Sequence, residues 1–111
     1  MYNHNCYNRG KVFKILGFRT CKDLTEWLQY YLFIGSDDFP STYLVNKNLM
    51  SFDIKRIKDK RGRFYKTVNI PLFTYDGVQY FKSLFVNPDL LEIELQNMND
   101  HRAKAFHTKV L

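Results

Sequence analysis

Residues 55–66 read KRIKDKRGRFYK, with seven Lys and Arg in twelve positions and Asp59 as the one acid. The quartet DKRG at 59–62 sits in the middle of this run. Asp at its start and Gly at its end are the chemistry of a type I turn with a glycine-assisted close. The run therefore predicts two short strands folded back on each other, a basic β-hairpin over 52–70. On the first strand Phe52 and Ile54 share a face and Ile57 lies on the other. On the second, strict alternation puts Phe64, Lys66, Val68 and Ile70 on one face and Arg63, Tyr65, Thr67 and Asn69 on the opposite one. Parity with Val68 and Ile70 assigns Phe64 to the core and leaves Tyr65 as the better exposed candidate. Pro71 cannot donate to a ladder and is expected to end the strand's central portion.

Charge is concentrated around this hairpin. The chain carries a formal +6, from 17 Lys and Arg against 11 Asp and Glu. Segment 47–66 alone holds eight basic and two acidic residues, so the remaining positions nearly cancel. Such an imbalance makes a directed field rather than a uniformly basic coat. Segment 87–100 has the opposite sign, with Asp89, Glu92, Glu94 and Asp100 and no Lys or Arg.

Apolar residues make up 45% of the 111 and aromatics 17%, which argues against disorder throughout. One domain over 1–111 is expected, with flexible ends at about 1–10 and 98–111. A chain of this length hides roughly 60–65% of its unfolded surface, enough for one modest core. Cys6 and Cys21 are read as two inert thiols, not a disulfide framework. No apolar run approaches the roughly 20 residues needed to cross a bilayer. The opening MYNHNCYNRGK lacks the apolar stretch of a secretory signal. The expected setting is a reduced intracellular compartment, cytoplasmic or nucleoid-associated, with no membrane association.

Along the chain, residues 1–10 read as a loose lead-in, and KVFKILGF at 11–18 as a short strand or an extended lead into the first helix. Thr20 is the expected cap of that helix, with Asp23 completing a short-armed capping box. Leu24, Trp27, Leu28, Tyr31 and Leu32 then recur at helical spacing, Trp27 anchors the core, and Gly35 is the expected left-handed stop. After Pro40, Ser41 heads a second, shorter helix over 41–50, with Leu44, Val45 and Leu49 inward. Thr74 to Val86 reads as a helix in preference to a hairpin closed by Asp76-Gly77. Tyr80, Phe81, Leu84 and Phe85 form its stripe, and Asn87-Pro88 stops it. Leu91, Ile93 and Leu95 alternate with Glu92, Glu94 and Gln96, the pattern of a half-buried strand. Such a strand offers an edge through which a homodimer could pair. The tail after Asn97 is expected to fray, with a terminal helical turn near Ala103–Phe106.

Little in the chain points to catalysis. His4, His101 and His107 lie in the terminal segments without metal-ligand spacing, and no phosphate-cradling glycine loop is present. Asp37-Asp38 follows a helix end and is read as solvating a turn. The expectation is a non-enzymatic protein without metal or cofactor. The hairpin carries the functional signal. Lys55, Arg56, Lys58, Lys60, Arg61, Arg63 and Lys66 are candidate phosphate contacts that release counterions. Arg61 and Arg63 are also suited to bidentate hydrogen bonds, and Tyr65 is suited to stacking on an unpaired base.

The expected fold is therefore a small α+β domain in which two N-terminal helices pack on an antiparallel sheet that includes the basic hairpin. Its specific form is winged-helix-like, with a helix pair at 21–34 and 41–50 and a wing at 52–70. The expected function is that of a small DNA-binding or regulatory protein, with DNA favoured over RNA. The alternative is a modulator or inhibitor, of the kind a viral accessory factor represents, that docks its cationic face on an acidic protein. Both readings ask the mid-chain cations to share one exposed ridge.

Overall fold

The computed structural model describes residues 6–110, and the side chains among them up to Lys104. In chain order the elements are β1 (Tyr7–Asn8), α1 (Arg9–Leu16), α2 (Cys21–Tyr30), α3 (Thr42–Asn46), β2 (Met50–Lys58), β3 (Phe64–Phe73), α4 (Tyr75–Val86) and α5 (Pro88–Val110). The strands form one antiparallel sheet in the order β1-β3-β2. A small α+β architecture with an antiparallel sheet built around the basic hairpin is thus what the chain adopts.

The first difference from the sequence reading is near the start, where a helix over Arg9–Leu16 replaces the end of the loose lead-in read at 1–10 and the strand or extended segment expected at 11–18. Val, Phe and Ile favour strands locally, but Val12 and Leu16 are four apart and both buried. Burial of that helical pair overrides a weak local preference. Asn8 caps the helix by accepting from the Lys11 N–H at 3.1 Å. Gly17, at φ 88°, ends it in the left-handed region.

Three successive helices close in the same way. After α1, the Phe18 N–H reaches the Phe13 carbonyl at 2.9 Å and the Gly17 N–H reaches Lys14. After α2, Phe33 bonds Leu28 at 2.9 Å and Leu32 bonds Gln29; after α3, Leu49 bonds Leu44 and Asn48 bonds Val45. In each case the residue between is left-handed: Gly17, Leu32 at φ 62° and Asn48 at φ 58°. This is the Schellman closure, which satisfies the last carbonyls of a helix.

The expected stop at Gly35 is therefore overturned, since α2 ends at Tyr30 and the left-handed turn falls on Leu32. The left-handed conformation costs a non-glycine residue about 1–2 kcal/mol. What offsets it is the burial of Phe33 and Ile34, both fully enclosed, at about 1.5–3 kcal/mol each. Thr20 caps α2 as read, its hydroxyl accepting from the Asp23 N–H at 3.1 Å. Leu24 and Leu28 are buried, Trp27 and Tyr31 half-buried, and Leu32 is turned outward.

The second expected helix shrinks from 41–50 to α3, five residues long, because Asn48 takes the closing turn. Loop 31–41 then separates α2 from α3, wider than the three or four residues of a tight helix-turn-helix. Within it Ile34 and Pro40 form a bridge. Asp38 accepts from Arg9 at 3.3 Å and from Gln29, while Asp37 accepts from the Phe39 N–H. The two carboxylates serve the turn.

α4 is capped as read, with Thr74 Oγ1 accepting from the Gly77 N–H at 2.9 Å, and Val78, Phe81 and Leu84 are buried. Phe81 is a hub of the core, its ring 5.1 Å from Phe33, 5.5 Å from Phe73 and 6.2 Å from Trp27.

The strand expected at 91–95 is instead part of α5. Asn87 Oδ1 accepts from the Leu90 N–H at 3.2 Å, and Pro88 fills the first helical position, so the dipeptide that stops α4 also starts α5. Leu91, Leu95 and Met98 share a helical stripe, and Met98 is 1% exposed whereas Ile93 is 57% exposed. Over five residues a period of two and a period of 3.6 place Leu91 and Leu95 alike, and Met98 breaks the tie. With this strand goes the edge on which the homodimer expectation rested. The polar residues after Asn97 continue the helix to Val110. Arg102 ties it to the α2 closure by donating to the Leu32 carbonyl at 3.0 Å.

Candidate nucleic-acid interface

β2 and β3 pair from Met50↔Phe73 to Ile57↔Lys66. The base of the hairpin is in the core, with Met50, Leu72 and Phe73 buried. Phe39 packs on Phe52 with ring centroids 4.5 Å apart, and Asn69 donates to the Asp37 carbonyl, so the loop before α3 braces that base. β3 runs on past Pro71, where a break was expected. The residue is tolerated because β1 flanks β3 only at Leu72 and Phe73, leaving β3 without a neighbour on that side at the proline.

Beyond Asp53 the hairpin leaves the core. Residues 53–56 and 60–67 are exposed, so both faces of the ribbon meet solvent. Six residues of strand from Asp53 to Lys58 correspond to a projection of roughly 20 Å.

The turn is built on Asp59, whose Oδ1 accepts from the Arg61 and Arg63 amides at 2.9 and 3.0 Å. The Gly62 N–H closes on the Asp59 carbonyl at 3.0 Å, with Gly62 at φ 80°. Asp59 Oδ2 also meets Arg63 Nε at 3.4 Å. That pair lies in solvent and contributes at most about 1 kcal/mol. The one acid in the basic run is thus spent on shaping the turn.

The cations do not fall on one ridge. Cross-strand partners share a face, so Arg56 and Lys58 project on the side of Thr67 and Phe64, while Lys55 lies with Val68 on the other side, as does Lys66 opposite Ile57. Lys60, Arg61 and Arg63 surround the turn. What the fold provides is a ribbon charged on both faces and at its tip. All seven side chains are exposed, and among the described residues Arg63 alone of them meets a carboxylate. Lys47, the eighth cation of the segment, sits at the end of α3 with its Nζ 4.7 Å from the Tyr43 ring. Its hydrogen bond to Tyr43 raises its pKa.

Phe64 is the residue the sequence reading placed wrongly. It is 57% exposed, and Tyr65 beside it is 65% exposed, as expected for the tyrosine. Between Ile57↔Lys66 and Lys58↔Phe64 the register slips by one residue. This bulge leaves Tyr65 without a partner and ends the parity that linked Phe64 to Val68. Arg56 Cζ stands 5.0 Å from the Phe64 ring centroid and Lys66 Nζ 5.5 Å from that of Tyr65.

Elsewhere the chemistry is sparse. Among the described residues no cluster of His, Cys, Asp and Glu is arranged to hold a metal. His101 packs on Tyr43 and meets the Thr42 hydroxyl at 3.4 Å; His4 and the side chain of His107 lie outside the described residues. Cys6 and Cys21 are free thiols, and burial pushes the Cys6 thiol pKa up, away from the reactive thiolate. No described helix is long and apolar enough to cross a membrane. No family model, curated protein or solved structure matches the chain.

Proposed function

We propose that this is a small non-enzymatic DNA-binding or regulatory protein that grips phosphates with the distal β2–β3 ribbon. The reading rests on one observation: a projecting ribbon bare on both faces, with seven cations of which a carboxylate meets only Arg63 among the described residues. The cations are divided between the two faces rather than gathered on the one ridge the sequence reading asked for, and what the faces share is the tip, where Lys60, Arg61 and Arg63 surround the turn. An anionic strand reaching either face meets the cations of that face together with those of the tip. In this reading the ribbon is the wing of a winged-helix-like arrangement, and the β1 pairing with β3 secures its base beside the helices. Contacts of this kind position a protein on nucleic acid and carry little sequence information.

Titration of fluorescent duplex and single-stranded DNA over a salt series tests the proposal. Binding should weaken steeply with salt, with the logarithmic slope changing by about 0.9 for each duplex phosphate neutralised. Replacing Lys60 and Arg61 by Gln should reduce that slope by about 2 if each meets one phosphate. Absence of binding at low salt, or binding indifferent to salt, would sink the reading. A protein partner retained after complete nuclease digestion, with no DNA binding, would replace it with docking on an acidic protein.

A further inference from the structure

A single exposed aromatic on a protein surface needs no account. The end of the β2–β3 ribbon holds two in adjacent positions. Phe64 and Tyr65 are both more than half exposed, Tyr65 is the residue that a register slip leaves unpaired, and each ring has a cation close by. In an unbroken strand, neighbours point to opposite faces and Phe64 would share the face of Val68 and Ile70. The bulge cancels that arrangement. Phe64 then lies opposite Lys58 on the Arg56 face, while Tyr65 is left outside the ladder within reach of Lys66. Neither ring is among the residues packed against the core.

We infer that Phe64 and Tyr65 are two stacking positions for unpaired bases of single-stranded nucleic acid, Phe64 beside Arg56 and Lys58 and Tyr65 beside Lys66, with these cations holding the backbone. The inference rests on the phosphate-binding reading and deepens it by naming the form of nucleic acid preferred. Aromatic faces flanked by cations match the two parts of a single strand, a π-face on each base and a charge at each phosphate. A duplex offers only base edges to a ribbon in its groove, since the base faces are stacked inside. Ring surface at the tip therefore gains its partner only where bases are unpaired.

The experiment uses the full chain and three ligands: an oligothymidylate spanning the ribbon, an abasic strand of the same length, and a duplex. Wild type should bind the oligothymidylate about 10- to 100-fold more tightly than the abasic strand, as expected for one or two stacked bases. The variant Phe64→Ala with Tyr65→Ala should bind both single strands alike, at the abasic level, with its salt slope unchanged. Duplex affinity should move less than about threefold. Exchanging the rings, Phe64→Tyr with Tyr65→Phe, should keep the preference, which separates ring chemistry from an effect on the hairpin. Equal binding of the base-bearing strand by wild type and the alanine variant overturns the stacking inference and leaves the phosphate reading standing. So does an equal loss on base-bearing and abasic strands. Failure of wild type to bind any of the three at low salt overturns both.

Discussion

Tyr80 shows how one side chain can report on the packing around it. Its hydroxyl donates to Glu94 Oε1 at 2.8 Å, joining α4 to α5 from a half-buried position. Burial raises the phenol pKa, and the Glu94 carboxylate raises it further by favouring the protonated form. The folded protein therefore holds this proton more tightly than the unfolded chain, whose tyrosines titrate near 10. Its contribution to stability is complete below about pH 10, and it is lost as the pH climbs from there toward the folded-state value. Replacing Tyr80 with Phe should flatten the alkaline fall in stability measured by urea titration at a series of pH values. At neutral pH, loss of the hydrogen bond should cost about 1 kcal/mol. An unchanged alkaline limb would show that other groups set it.

The helices α4 and α5 turn on features that local propensity misreads. Gly77 is buried in the first turn of α4, and a Cβ there would overlap the Leu49 carbonyl oxygen. That oxygen already accepts from Thr74, so it has little room to shift. Helix propensity alone favours Ala over Gly by about 1 kcal/mol. Close approach should win, and Gly77→Ala should destabilise by about 3 kcal/mol, seen as a lower denaturant midpoint at constant slope. In α5 a strand and a helix make opposite forecasts. A strand would bury Ile93 as deeply as Leu91 and Leu95, whereas the helix exposes it and buries Met98. Met98→Ala should therefore cost about 2–4 kcal/mol, and Ile93→Ala should stay within about 0.5 kcal/mol of wild type.

For the whole molecule, the chain spans 50 × 42 × 25 Å, with the aromatic core at one end of the hairpin and the basic ribbon at the other. The elements legible from the residues alone were those whose signals are local. Thr20 and Thr74 announced their helices through the hydroxyl a cap requires. DKRG announced the turn through the Asp and Gly its geometry needs, and the exposure of all seven cations followed from the cost of burying charge. Four things were hidden because they depend on contacts distant in the chain. Leu32 replaces Gly35 at the α2 stop since Phe33 and Ile34 are drawn into the core. Residues 9–16 are helical since Val12 and Leu16 must bury together. Residues 91–95 are helical since the stripe continues to Met98. Phe64 is exposed since it lies far along a ribbon that leaves the core at Asp53, where both faces meet solvent. Charge and turn chemistry act within a few residues and could be read directly from the string of letters. Which face of an amphipathic segment is buried, and in what register, is settled by partners tens of residues away, where the gain from filling the core exceeds the small local preferences.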